Sequence, residues 1–335
     1  MINTKRYFKF HLTKRLPYFL ITAPLSAWFT YITYDTSFTS DSITLLPVIL
    51  SLFILSMLTP IMELSAFKKR KDLDNLFSLP IPRTHLLGVH LLTGLFTNLA
   101  VFTISVGIVA LDFNDAIASE KMIYLLLFWV LGLIWGTLIY GLFSFIFYEA
   151  NTAWDGAVFV VAHSFALQMF FTGLIMVLEW FKLPLEQGYR LYNSVQLSPY
   201  VPFQWTKDFF EEKINPPGNY FIPWNYDMST SGMLFTLIFY LILGVASYIV
   251  FFRFSAKKRV EKTGDISDSL FGYRTLLPMG AFLLFVVGAK TLVITIVALA
   301  CTLGGYAIYR RGFHLKRSDW TILICLTAFS LMLSV

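Results

Sequence analysis

Charge is scarce in this chain. Asp, Glu, Lys and Arg make up 14% of its 335 residues, where soluble chains carry about 25%. With 57% hydrophobic residues and a mean hydropathy of +0.67, this shortage excludes an ordinary soluble domain. Cysteine is nearly absent: Cys301 and Cys325 both fall in apolar runs, which excludes a disulfide framework. The first apolar run lacks a small-residue cleavage site and follows a long basic stretch, so the amino terminus does not read as a cleavable signal. No G-x-x-x-x-G-K-[ST] segment occurs, so no phosphate-cradling loop binds ATP within this chain. No H-E-x-x-H or G-x-S-x-G occurs either. The five histidines, His11, His85, His90, His163 and His314, show no ligand spacing; His85 and His90, five apart, do not share a helix face. His163, alone in an apolar run, reads as a hydrogen-bonded packing residue. The candidate catalytic, cofactor and metal sets are therefore empty.

Ionisable groups are also missing from the centres of the apolar runs. Glu63, Glu149, Glu179 and Lys290 fall at their ends. Gradient-driven carriers need such groups near mid-bilayer, as relays or counter-ions. That class is disfavoured, and energy for any transport is expected from a partner.

What the sequence does have is a segregated set of basic residues. Lys and Arg gather in four bursts, Lys5–Arg15, Lys68–Arg83, Arg253–Arg274 and Arg310–Arg317. Between them lie runs such as Ile43–Ile61, Leu86–Leu111 and Ile123–Phe147, each close to the ~20 residues that cross a bilayer as helix. Counting crossings puts every burst on one side, holding 20 of the 26 basic residues. By the positive-inside rule that side is the cytoplasm, so the protein is expected in the cell membrane, multi-pass, with a cytoplasmic amino terminus. The net charge of +6 then faces anionic lipid rather than nucleic acid.

The runs predict an all-α polytopic protein of about nine membrane helices, six in a first block and three trailing. Residues 1–15 read as an amphipathic elbow helix with Tyr7, Phe8, Phe10 and Leu12 in the lipid boundary. Residues 16–254 form the six-helix domain, with Pro47 and Pro60 expected to kink or end its second helix. The long region 182–231 is external, and Phe203–Ile214 within it reads as an amphipathic helix that sets Trp205, Phe209 and Phe210 against headgroups. Residues 255–275 are a cytoplasmic linker, and 276–335 hold the carboxyl-terminal helices. Leu276–Tyr309 is too long for one span and basic at both flanks, so it reads as a hairpin with its tip at Gly288, Ala289 and Lys290. At a tip, the Lys290 charge costs little.

The cytoplasmic segment 64–85 includes the run FKKRKDLDNLFSLPIPRTH. Its first part suits a short helix with Leu73, Leu76 and Phe77 on one face, stopped by Pro80 and Pro82, with Thr84 capping the next helix. Such a segment either transmits force from a soluble motor or is a charged loop that fixes topology. The run from Asp72 to Arg83, DLDNLFSLPIPR, resembles the acidic–x–x–x–SLPI–x–R signature of type-2 ABC exporter permeases, especially those of low-GC Gram-positive bacteria. Leu197-Ser198-Pro199 resembles the LSP before their sixth span, and Arg259 to Gly264, RVEKTG, the R-x-E-x-x-G after it. The similarity covers roughly residues 1–320.

The resemblance implies a six-helix type-2 exporter membrane domain with an amino-terminal elbow and a coupling helix between its second and third spans. Here about three carboxyl-terminal helices would be added. It implies a second permease subunit, identical or not, and separate ABC ATP-binding subunits that hold ATP and Mg; this chain itself carries no cofactor. Contact with those subunits is expected at Asp72, Leu73, Asp74, Leu76, Phe77 and Arg83, and more weakly at Glu149 and Asp155. Arg259 and Glu261 are expected to organise the inner end of the sixth span as an ion pair. The hairpin at Lys290 is shorter than in such permeases, and relatives can continue past the last apolar run into an extracellular region. A peptide or amphiphile would suit the pathway. Phe96, Phe128, Trp135 and Phe170 could line it, although lipid-facing positions account for most of the 34 phenylalanines. The alternative is a membrane-embedded accessory protein or enzyme with no ATPase partner.

Overall fold

The computed structural model describes residues 4–35, 45–111, 118–181, 197–214, 230–255, 263–265, 267, 269–288 and 292–333. All regular structure among them is helical. The helices are α1 (Thr4–Asp35), α2 (Leu46–Leu64), α3 (Arg70–Phe77), α4 (Arg83–Leu111), α5 (Ala118–Glu149) and α6 (Ala153–Trp180). They are followed by α7 (Val201–Ile214), α8 (Thr230–Ser255), α9 (Tyr273–Gly288), α10 (Leu292–Arg310) and α11 (Arg317–Leu333). Leu46–Lys68, Arg83–Leu111, Lys121–Glu149, Ala153–Leu178, Gly232–Phe254 and Val293–Arg310 are long and apolar enough to cross a bilayer. Leu20, Ile21, Leu92, Phe96, Leu126, Leu241 and Ile242 stay exposed on helix flanks, where a soluble bundle would carry charge. This is a multi-pass membrane protein.

The chain forms two compact units. The first holds residues 1–148, 199–225 and 237–263. In it α1 and α2 pack on α4. With no hydrophobic drive between helices in lipid, small residues and buried hydroxyls join them. Ser26 of α1 meets Ser105 of α4 at 2.9 Å, and Asn98 of α4 donates to Ser56 of α2 at 2.9 Å. Gly141 of α5 admits the Tyr248 ring of α8, whose hydroxyl donates to the Thr137 carbonyl at 2.7 Å. Short α7 closes over the start of α2: Phe53 meets Phe203 edge-on at 6.0 Å, and Glu211 accepts from the Leu45 N–H. Lys207 pairs with Asp208 at 2.7 Å and Glu211 at 3.3 Å. Burial alone pushes the Lys207 ammonium down, but these carboxylates outweigh it and hold it above its usual value.

The second unit holds residues 149–198, 226–236 and 264–335. Here α9 packs along α6 and forms a hairpin with α10. Phe285, Ala281 and Ala298 build one apolar cluster of the trailing helices, and Tyr306, Tyr309 and Leu323 another. Ser330 of α11 donates to the Phe285 carbonyl at 3.2 Å. Arg310 grips Asp319 through two bonds of 2.9 and 3.0 Å.

The two helices read within Leu276–Tyr309 are present as α9 and α10; Lys290 lies outside the described residues. Other details differ from expectation. α1 runs unbroken through Pro17 and Pro24, so the segment read as an elbow over residues 1–15 and the apolar run after it form one helix. Phe10 stays exposed, but Tyr7 turns into the protein. Pro47 sits in the first turn of α2, where its missing N–H is no loss, and α2 continues past Pro60 to Leu64. α4 begins at Arg83, so Thr84 lies inside its first turn rather than capping it. In α7, Phe210 is buried against Phe128 at 6.0 Å and not at a surface.

Candidate functional site

The segment between α2 and α4 opens with a 3-10 turn, Ser65–Lys68, and continues as α3. Asp72 lies in the first turn of α3, where the positive end of the helix dipole favours it. Leu73 is buried; Leu76 and Phe77 are half-buried; Asp74 and Asn75 are exposed. The apolar face read from sequence is thus the inward face. Two basic side chains brace the segment. Lys68 is buried, donates to the Tyr148 carbonyl at the end of α5 at 2.7 Å, and lies 4.8 Å from the Tyr148 ring centre. Arg70 donates to the Thr263 carbonyl at 3.0 Å. Arg83 is exposed and stacks 4.3 Å over the Phe77 ring, folding the exit of the segment back on α3.

Beside this segment lies a buried polar cluster centred on Glu63, one residue before the end of α2. Arg15 Nε donates to Glu63 Oε1 at 2.9 Å, and His11 Nε2 lies 2.9 Å from Oε2. His90 Nδ1 donates to the Glu63 carbonyl at 3.1 Å and stands 3.7 Å from Oε2. The Tyr7 hydroxyl lies 3.2 Å from His90 Nε2, and Phe67 sets its edge on the His90 ring at 5.0 Å. Glu63, His11, His90 and Tyr7 are all at least nine-tenths buried. A buried carboxylate survives only when paired, and here α1 and α4 supply the partners. Gly94 of α4 makes room: a Cβ there would fall 2.4 Å from the Tyr140 hydroxyl and 2.9 Å from Glu63 Cγ.

No protein-family model, curated protein or solved structure matches this chain.

The exporter resemblance therefore rests on the sequence motifs. Of the residues nominated for ATPase contact, Asp72, Leu73, Asp74, Leu76, Phe77 and Arg83 form one continuous feature. Glu149 is half-buried at the end of α5. Asp155 faces inward: it accepts from Ser267 at 2.6 Å and Tyr273 at 2.9 Å, and its own N–H is capped by Thr152 at 3.0 Å. Both of its oxygens accept hydrogen bonds within the fold. Arg259 and Glu261 lie outside the described residues. Of the aromatics read as a pathway, Phe128 and Trp135 are buried, while Phe96 and Phe170 are exposed on helix flanks. His163 donates to the Phe159 carbonyl four residues back, at 2.9 Å, as its isolation implied.

Sequence spacing missed the Glu63 cluster, and the reading that the histidines make no cluster is corrected for His11 and His90. One signal was available. Tyr7, His11 and Arg15 recur every four residues and so share a face of α1. The amphipathic reading of residues 1–15 instead places Tyr7 in the lipid boundary with Phe8, Phe10 and Leu12.

Proposed function

We propose that this protein is the membrane subunit of an ATP-driven exporter, whose α3 segment receives the stroke of separate ATP-binding subunits on the cytoplasmic side. The observation that carries the reading is the bracing of α3. Its buried Leu73 and the two basic struts bind it to the end of α5 and to Thr263 beyond α8, while Asp74 and Asn75 face outward. A push on the outward face is passed through the Lys68 strut to the end of α5 and through the Arg70 strut to the backbone at Thr263. The matching order of the SLPI, LSP and R-x-E-x-x-G motifs supports the same reading. So does α7, which the LSP residues lead into and which closes over the opposite end of α2. The proposed pathway carries a peptide or amphiphile and is completed by a second permease subunit.

The test is affinity purification of the full chain from its own cell membrane, with co-purified ATPase activity measured. The wild-type chain should bring down an ATP-binding subunit. Asp72→Lys together with Asp74→Lys should cut recovered ATPase at least tenfold and leave the membrane level of the chain unchanged. Normal recovery with the double variant removes α3 as the contact. A wild-type chain that brings down no ATPase supports the accessory-protein or enzyme reading instead.

A further inference from the structure

We infer that His11, Glu63 and His90 form a binding site for one divalent transition-metal ion of the zinc class, fastening α1 to α2 and α4. His11, Glu63 and His90 converge in a buried site, each offering one ligand atom, and these atoms all lie within 4.8 Å of one another. Two imidazole nitrogens face the same carboxylate oxygen, at 2.9 and 3.7 Å. The second distance is beyond a hydrogen bond, so His90 is aimed at Oε2 without bonding it. In a tetrahedral site with metal–ligand bonds of about 2.0–2.1 Å, ligand atoms stand about 3.3 Å apart. Both carboxylate–imidazole distances lie within about half an ångström of that value, and the edge between the two imidazoles is at most 4.8 Å, so an ion enters by drawing the two rings together.

The surroundings have the form that metal ligands require. A ligating histidine normally gives its other ring nitrogen to a fixed partner, and a ligating carboxylate is itself hydrogen-bonded. Tyr7 stands at His90 Nε2, and Arg15 holds Glu63 Oε1, leaving Oε2 to the centre. On binding, His90 exchanges its Nδ1–H bond to the Glu63 carbonyl for the metal and turns an Nε2–H toward Tyr7. Two imidazoles and one carboxylate favour Zn²⁺, Co²⁺ or Ni²⁺ over Mg²⁺ and Ca²⁺, which want oxygen shells. Three protein ligands leave a fourth position for water or an anion. The inference does not depend on the exporter reading.

The experiment is a titration of the purified, chelator-stripped full chain in detergent with Co²⁺ alone, followed by visible absorption. One Co²⁺ per chain is expected, with the intense visible bands of a four-coordinate ion, displaced by Zn²⁺ and indifferent to excess Mg²⁺. His11→Ala and His90→Ala should each weaken binding at least 100-fold, and Tyr7→Phe about tenfold. His85→Ala, an exposed histidine on the same helix as His90, should change nothing. A wild-type chain that binds no Co²⁺, or binds it with six-coordinate spectra, overturns the inference whatever the variants do. Binding that survives in both folded histidine variants overturns it as well.

Discussion

Gly94 packs tightly beside Glu63. A methyl group there meets the Tyr140 hydroxyl at 2.4 Å, and that hydroxyl is already committed to the Leu91 carbonyl at 3.0 Å. Gly94→Ala should therefore lower the thermal midpoint in detergent, by an amount corresponding to ~1–3 kcal/mol of overpacking. Gly107→Ala on the same helix meets nothing within 4 Å and should be neutral or slightly stabilising, since alanine is the better helix former. Asp319 offers a second test, through pH. Burial raises its pKa, but Arg310, the Lys316 N–H and the Ser318 hydroxyl together outweigh burial and hold it below the usual value. A depressed folded-state pKa means the contact's full contribution is present above the unfolded value of about 3.9. That contribution is lost as pH falls through the lower, folded value. Asp319→Asn should cost ~1–2 kcal/mol at neutral pH. The gap to wild type should stay constant from about pH 7 to 5 and close below about pH 4. A gap that widens on acidification would show that Asp319 is not held as an anion.

The α3 segment depends on its struts more than on its own helix propensity, because eight residues are too few to stand as an isolated helix. Lys68→Met keeps the length of the stem and removes the donor to Tyr148. Backbone hydrogen exchange over Arg70–Phe77 should then rise at least tenfold, while exchange in the middle of α4 stays as it was. Unchanged exchange would mean that Leu73 alone secures the helix. This segment was legible in the sequence because its signals are local: a charged stretch with Leu73 on one face, then Pro80 and Pro82. The α9–α10 hairpin was legible too, since Leu276–Tyr309 is too long for one crossing and basic at both flanks. The Glu63 cluster was not, because its members lie 52 and 27 residues apart and meet only through the rotational phase of three helices. The elbow boundary failed for a related reason. Composition changes from basic to apolar near Arg15, but nothing there stops a helix: Pro17 follows, and α1 carries it. Asp155 looked like a surface acid, yet its partners Ser267 and Tyr273 are more than 110 residues away.

The placement of α3 and α7 at opposite ends of α2 ties the topology to the proposed function. α2 has 19 residues, hence a length of about 28 Å, close to the ~30 Å of a hydrocarbon core. Glu211 of α7 bonds the residue before its first turn, and α3 follows its last. If α2 crosses the bilayer, the outward faces of α3 and α7 meet different compartments, and the proposed function requires the one bearing α3 to be the cytoplasm. Ser78 and Glu212 are both exposed and report on the two ends. In a chain with Cys301→Ala and Cys325→Ala, Glu212→Cys should react with a membrane-impermeant maleimide in intact cells. Ser78→Cys should react only after permeabilisation. The reverse pattern would put α3 outside the cell and remove it as a site for an ATP-driven push. Labelling of both positions from one side would mean that α2 does not cross. The charge asymmetry argues for the expected pattern: Lys69, Arg70, Lys71 and Arg83 crowd the Ser78 end without balancing partners in number, whereas Lys207 beside Glu212 is neutralised by Asp208 and Glu211. Uncompensated cations resist translocation, and paired ones much less so.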